Sequence, residues 1–207
     1  EQFDVSRPTI REAIIALEVR GRVEVITSSG VYVIEKPEEV TNQLVVTAFE
    51  LTQARALVEG EAAALAASSI TEDELQRLDA SLDAMEKGIN PDQADREFHS
   101  IISTATRNNA ILYAVQNFWH LRENKENIRD AYSGVCNSST SQRLAEHRAI
   151  YNALKAGDSQ AARMAMHEHF NRLINALFDA SEAKALEEIK RKSNETRGLY
   201  SLNHLVS

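Results

Sequence analysis

The sequence predicts a mainly α-helical protein, in which a short helix and a β-hairpin are followed by an antiparallel bundle of six to seven helices. Three observations lead to this prediction. Among 207 residues only 7 are glycine and 3 are proline, whereas alanine, leucine, glutamate and arginine, which favour helices, are abundant. Apolar residues recur with helical periodicity from residue 48 to about residue 185. Two short β-branched runs stand on either side of residue 28 and predict the hairpin.

The N-terminal helix is predicted to begin after Ser6, which is a good N-cap, and Pro8 falls in its first turn. Its apolar face is supplied by Ile10, Ala13, Ile14, Leu17 and Val19. The runs Val23–Ile26 and Val31–Ile34 then form the predicted hairpin. A short helix followed directly by a hairpin is typical of the end of a winged helix-turn-helix, which binds DNA.

Four polar residues near the start of this helix are predicted to contact DNA: Ser6, Arg7, Thr9 and Arg11. Such side chains can donate hydrogen bonds to phosphate oxygens and base edges, and the N-terminal residues of a recognition helix are the ones that reach bases. On spacing alone, a solvated helix end explains the same residues equally well. The net charge of -8 does not exclude DNA binding, because a regulator needs a basic surface on one element only.

The domain organisation follows from the breaks in these patterns. Residues 1–34 are predicted to form the DNA-binding domain, and residues 35–47, with a proline and a charge cluster, a linker. Residues 48–182 form the helical domain, and residues 183–207 are a C-terminal tail to which no function is assigned. No apolar run of about 18 residues and no leader pattern occur, so a cytoplasmic protein is expected.

Four buried polar residues are predicted to form a metal site. Asp95 and His99 are four residues apart and share a helix face. His147 and His169 lie on apolar stripes, about ten residues before and about eleven after the turn at Gly157–Asp158, so antiparallel packing brings them level. Leaving four such groups unpaired would cost about 1 to 3 kcal/mol each, and one divalent ion would satisfy them together. Any single histidine, taken alone, is more simply explained as a hydrogen-bonded core residue.

A small anion is the expected occupant of the open coordination positions of this metal. Arg55 lies on an apolar helix face, where an unpaired guanidinium would be costly, so it is predicted to bind the carboxylate of an organic acid. An internal ion pair with Glu59 or Glu61 is the alternative explanation.

Several segments carry a resemblance to a known family. The segments Val5–Glu12 (VSRPTIRE) and Ser29–Val33 (SGVYV) resemble the second half of the DNA-binding domain of the GntR superfamily, whose first helices would then be missing from this chain. The segments Asp95–His99 (DREFH), Glu146–Ile150 (EHRAI) and Met166–His169 (MHEH) resemble the FCD effector domain of the FadR subfamily.

This resemblance implies a transcription regulator and not an enzyme. It implies a homodimer that binds double-stranded operator DNA, acts as a repressor, and holds zinc or nickel through Asp95, His99, His147 and His169, with the effector carboxylate on the metal. The segments Phe49–Arg55 and Trp119–Asn124 are similar to those of regulators of hexuronate catabolism. A hexuronate such as galacturonate or glucuronate is therefore the predicted effector, with Arg55 and Arg122 holding its carboxylate.

The same sequence features allow two alternative functions to be compared with a hexuronate-sensing regulator. The same class of regulator could sense another organic acid, such as lactate, gluconate or an amino acid. A metal-dependent enzyme acting on a sugar acid is disfavoured, because Glu97 points away from the face of Asp95 and His99 and leaves no general base. The sequence also contains no nucleophile elbow, glycine-rich phosphate loop or HExxH motif.

Overall fold

The structure is a computed structural model that describes residues 5–19, 22–27, 29–34, 45–136 and 140–200. The chain divides into two compact units, Glu1–Val45 and Val46–Ser207. Most of the predicted linker, residues 35–44, and the end of the predicted tail, residues 201–207, lie outside the described residues.

The first unit contains helix α1 (Arg7–Val19) and strands β1 (Val23–Ile26) and β2 (Gly30–Val33). The hydroxyl of Ser6 accepts a hydrogen bond from the backbone N–H of Thr9 (3.3 Å), which caps α1 as predicted. The strands pair antiparallel, with Val23 opposite Val33 and Ile26 opposite Gly30. The predicted helix and hairpin are both present in this unit.

The second unit consists of seven helices within the described residues, which agrees with the predicted bundle of six to seven. They are α2 (Ala48–Ala67), α3 (Glu72–Glu86), α4 (Pro91–Ala105), α5 (Asn109–Asn124), α6 (Glu126–Cys136), α7 (Thr140–Lys155) and α8 (Ser159–Tyr200). Helix α8 is 42 residues long and passes through residue 182, where the prediction placed the end of the domain. None of the helices described is both long enough and apolar enough to cross a membrane.

The starts of the helices follow from local hydrogen bonding. Thr47 and Thr71 form capping boxes with Glu50 and Glu74, at the starts of α2 and α3. The side chain of Asn108 accepts hydrogen bonds from two backbone N–H groups of α5. These caps satisfy donors that a helix start leaves unpaired, and they fix where each helix enters the bundle.

The bundle core forms where α2 packs along α8; α7 contacts both of these helices, and α4 packs on α2 and α3. Its largest apolar side chains with less than 2% exposure are Leu51, Leu78, Phe98, Ile102, Ile128, Ile150, Leu154, Met166 and Phe170. Helix α2 approaches α8 closely at Gly60, where an added Cβ atom would lie 2.2 Å from Nε2 of His167. Only glycine leaves room for the imidazole at this position.

The close approach at Gly60 gives a first prediction. Gly60→Ala should lower the free energy of unfolding by about 1 kcal/mol, because relief of the overlap costs more than the helix propensity of alanine returns. Urea denaturation followed by circular dichroism measures this loss. The double variant Gly60→Ala, His167→Ala should recover most of it.

A matched control exists in α6. Gly134 has no atom within 4 Å of an added Cβ atom. Gly134→Ala should therefore raise the free energy of unfolding, by up to about 1 kcal/mol. Equal stabilisation by Gly60→Ala and Gly134→Ala would contradict the steric argument.

Candidate metal centre and anion cavity

Three of the four predicted metal ligands come together in the middle of the bundle. His99 of α4, His147 of α7 and His169 of α8 are each at most 4% exposed. Each offers a ring nitrogen, and these nitrogens all lie within 4.8 Å of one another. The ring centroids of His147 and His169 are 4.6 Å apart, and each of these rings lies 5.5 Å from that of His99. A single ion between the three rings could contact all of them.

Asp95, the fourth predicted ligand, lies one turn before His99 and borders the three histidines. Its Oδ1 atom is 2.8 Å from Nε2 of His147 and 3.7 Å from Nε2 of His99. Its Oδ2 atom accepts a hydrogen bond from Arg122 (3.0 Å). Burial acts to raise the pKa of Asp95, but contact with His147 and then Arg122 outweighs it and holds this pKa well below its usual value. The carboxylate is therefore ionised beside the imidazoles.

Partners at Nδ1 orient two of the imidazoles. The Nδ1–H of His147 donates to the backbone carbonyl of Arg143 (2.8 Å), because a carbonyl can only accept, and this leaves Nε2 as the nitrogen that can ligate. Nε2 lies 2.8 Å from the Oδ1 atom of Asp95, a separation that a shared proton or a cation would bridge. Nδ1 of His169 is 3.0 Å from a carboxylate oxygen of Glu146, which likewise leaves Nε2 available.

The third imidazole, that of His99, has no hydrogen-bond partner at either ring nitrogen within the described residues. The Oε2 atom of Glu59 lies 2.5 Å from Nδ1 of His99, but neither atom makes an aligned hydrogen bond, so this contact is electrostatic. Nε2 of His99 is also buried, and no residue of the described chain forms a hydrogen bond with it. A buried polar atom without a partner is uncommon in proteins, and a bound metal ion would satisfy this one.

The protonation states suit metal binding. Burial lowers the pKa of His169 to about 3 and also lowers the pKa of His99, although Glu59 opposes the second shift. Burial acts to raise the pKa of Glu59, but Arg55 and then His99 lower it to about 2. At neutral pH these two imidazoles are therefore neutral, which is the state that metal ligation requires, and the Glu59 carboxylate beside His99 is charged.

A cavity with a positively charged wall adjoins the histidines; we call it the inner cavity. Its lining residues are Arg55, Asp95, Arg122, Val135, Arg143, His169, Arg172 and Leu173. Four arginines thus face one lining carboxylate. Asp92 lies 4.0 Å from Arg122 and from Arg143 but is exposed, and Glu146 lies 2.5 Å from Arg172. The excess of guanidinium groups favours an anion here, since arginine binds carboxylates through paired hydrogen bonds. The cavity has a volume of about 10 Å³, room for one water-sized group, so a carboxylate would have to displace side chains to enter.

The sequence left two roles open for Arg55, binding an effector carboxylate or forming an internal ion pair, and its contacts are compatible with both. Its Nε–H donates to Glu59 (2.7 Å), so the alternative of an internal ion pair is correct for this nitrogen. Its Nη2 atom is buried and has no hydrogen-bond partner within the described segments. The guanidinium carbon of Arg55 lies 4.6 Å from the ring centroid of Trp119. The guanidinium carbon of Arg122 lies 4.5 Å from the same ring centroid. Arg55 therefore keeps donor capacity for a ligand.

Sequence reasoning missed three residues of this site, Arg143, Glu146 and Arg172, and named Glu59 only as a possible partner of Arg55. Helix spacing could have found the two arginines. Arg143 lies one turn before His147, and Arg172 lies three residues after His169. Any ionisable residue one turn from a buried histidine falls on the same helix face, and this rule finds both arginines.

The predicted DNA contacts are placed in the first unit. Ser6, Arg7, Thr9 and Arg11 are all exposed at the N-terminal end of α1. The hydroxyls of Ser6 and Thr9 lie 2.8 Å apart and form a hydrogen bond.

Comparison with known protein families identifies the chain. The profile of the FCD domain matches residues 50–172, more than half of the chain, and the profile of bacterial regulatory proteins of the gntR family matches residues 1–33. The chain is a GntR-family regulator with an FCD domain. It is therefore a DNA-binding transcription regulator and not an enzyme, as the resemblance implied.

Relatives of this GntR-family regulator match most of its length. The Uxu operon regulator of Haemophilus influenzae is 30% identical over 89% of this chain and 73% of its own length. The Exu regulon transcriptional regulator of Escherichia coli is 30% identical over 86% of this chain and 73% of its own length. Among solved structures, Streptococcus agalactiae GntR is similar with a TM-score of 0.51 and 27% identity, over 84% of each chain.

Proposed function

We propose that this regulator senses a small carboxylate, bound in the inner cavity beside a divalent metal ion, and that binding alters its affinity for operator DNA. The unsatisfied Nε2 atom of His99, close to His147 and His169, is the observation that carries the proposal. Asp95 completes the proposed ligand set. When bound, the metal supplies positive charge and open positions for a carboxylate, and zinc or nickel suits imidazole ligands.

The proposed effector is a hexuronate such as galacturonate or glucuronate. Relatives named for the Uxu operon and the Exu regulon support this assignment, since they agree with the resemblance to regulators of hexuronate catabolism. Arg55 and Arg122 are proposed to hold the carboxylate. A short hydroxy acid is the second candidate, because an E. coli relative of 24% identity is named after an L-lactate dehydrogenase operon.

The regulator is further proposed to act as a homodimeric repressor. Helices α2 and α8 carry several apolar side chains that are at least half exposed, among them Leu57, Leu65, Met164 and Phe178. Clusters of such side chains favour association between protein surfaces. In each copy, Ser6, Arg7, Thr9 and Arg11 are proposed to contact the operator.

A binding experiment with DNA tests this proposal. A fluorescent operator duplex, selected by the protein from a random-sequence library, is titrated with the full chain and followed by anisotropy. Saturating galacturonate should release the operator from the wild type. The variant Arg7→Ala, Arg11→Ala should bind the operator at least about tenfold more weakly, because cationic contacts to phosphates and bases are lost.

The control for this experiment is Lys87→Ala, which removes an exposed cation from the second unit and should leave operator affinity unchanged. The double arginine variant should still bind galacturonate. Operator affinity that does not respond to galacturonate, glucuronate or lactate would contradict the proposed sensing function.

A further inference from the structure

A second cavity, larger than the inner cavity, lies beside it; we call it the outer cavity. It has a volume of about 620 Å³, within the range of small-molecule sites. Its polar lining residues include Asn90, Asp92, Gln93, Trp119, Arg122 and Glu123. Arg122 lines both cavities, so the two share a wall.

Two further contacts connect the cavities. The ring of Trp119 lines the outer cavity and contacts the guanidinium groups of Arg55 and Arg122, which line the inner one. Asp92, also in the outer lining, lies 4.0 Å from both Arg122 and Arg143. A molecule whose anionic end is held by these arginines would therefore extend its other end into the outer cavity.

The lining of the outer cavity differs in chemistry from that of the inner one. Two carboxylates, Asp92 and Glu123, and two guanidinium groups, Arg122 and Arg129, balance in charge in this lining, and all four groups can hydrogen-bond to hydroxyls. The side-chain amides of Asn90 and Gln93 can both donate to a hydroxyl and accept from one. Groups that suit hydroxyls thus surround a space far larger than a two-carbon acid needs.

We infer that the outer cavity binds the hydroxylated carbon chain of a polyhydroxy acid whose carboxylate lies in the inner cavity. This inference rests on the proposed function and names the part of the site that selects the effector. Arginines of the inner cavity bind the carboxylate that all candidate acids share. Residues of the outer cavity distinguish a sugar acid from a short acid.

Isothermal titration of the zinc-loaded full chain tests this inference with two probes, D-galacturonate and glycolate. Glycolate has a carboxylate and one adjacent hydroxyl but lacks the rest of the polyol. The test variant is Asn90→Gly, Gln93→Ala. Glycine suits position 90 because Asn90 has a φ of +44°. The variant should bind galacturonate about tenfold more weakly, from the loss of two hydrogen-bonding side chains, and glycolate as the wild type does.

Gln76→Ala, the same change at an exposed position of α3, is the control and should alter neither affinity. The inference is overturned if the wild type binds galacturonate no more tightly than glycolate. It is also overturned if the double variant keeps the wild-type ratio of the two affinities. In both cases the proposed acid sensing stands. If the wild type binds neither acid, the proposed function itself fails.

Discussion

Replacing His169 with alanine is expected to abolish the stabilisation of the protein by zinc. A ligand that binds only the folded state, present at 100 times its dissociation constant, stabilises it by about 2.7 kcal/mol. For a chain of this size this corresponds to a rise in Tm of about 5 to 10 °C. The three imidazoles surround one point, so removal of one leaves too few nitrogens to hold the ion. Differential scanning calorimetry with and without zinc measures the shift, and elemental analysis measures the bound metal.

The control lies in the same helix. His167 is two residues away and faces Gly60 instead of the other histidines. His167→Ala should show the full zinc-dependent shift in Tm. Glu146→Gln should weaken zinc binding by about 10- to 100-fold, because Glu146 orients His169 without being a ligand. A zinc-dependent shift in His169→Ala as large as in the wild type would contradict the proposed centre.

Helical periodicity explains why the histidines could be predicted from the sequence. Asp95 and His99 are one turn apart on a buried face, and His147 and His169 are nearly equidistant from the turn at Gly157–Asp158. Both features follow from a fixed rise per residue in two packed helices. The structure does bring the three imidazoles together.

Other features of the site depend on contacts between residues far apart in the chain, and sequence periodicity does not predict such contacts. Arg172 and Glu146 are 26 residues apart, and their pairing depends on how α7 and α8 pack. The break between α5 and α6 was also missed. It falls at Lys125, whose extended backbone (φ -94°, ψ 114°) is not marked by glycine or proline. Local signals therefore located most helices, whereas the arginine wall of the inner cavity required the tertiary structure.

Glu59→Ala is expected to cause the largest loss of stability of any single substitution considered for this protein. Glu59 and Arg55 are both 1% exposed, and their ion pair neutralises a guanidinium inside the bundle. Removal of the carboxylate leaves the buried charge of Arg55 uncompensated, which costs about 3 to 5 kcal/mol. The same carboxylate contacts Nδ1 of His99, so the variant should also bind zinc more weakly. Urea denaturation of the metal-free protein isolates the first effect.

Glu61→Ala is the matched control, since Glu61 is an exposed residue of the same helix that pairs with Arg163 at the surface. It should cost no more than about 1 kcal/mol. The double variant Glu59→Ala, Arg55→Met should be more stable than Glu59→Ala, because the unpaired charge is gone and the methionine fills apolar space. Equal losses for Glu59→Ala and the double variant would mean that packing, and not charge, sets the cost. In that case Arg55 would not need an anion in the folded protein, and its proposed role in holding the effector carboxylate would lose its energetic basis.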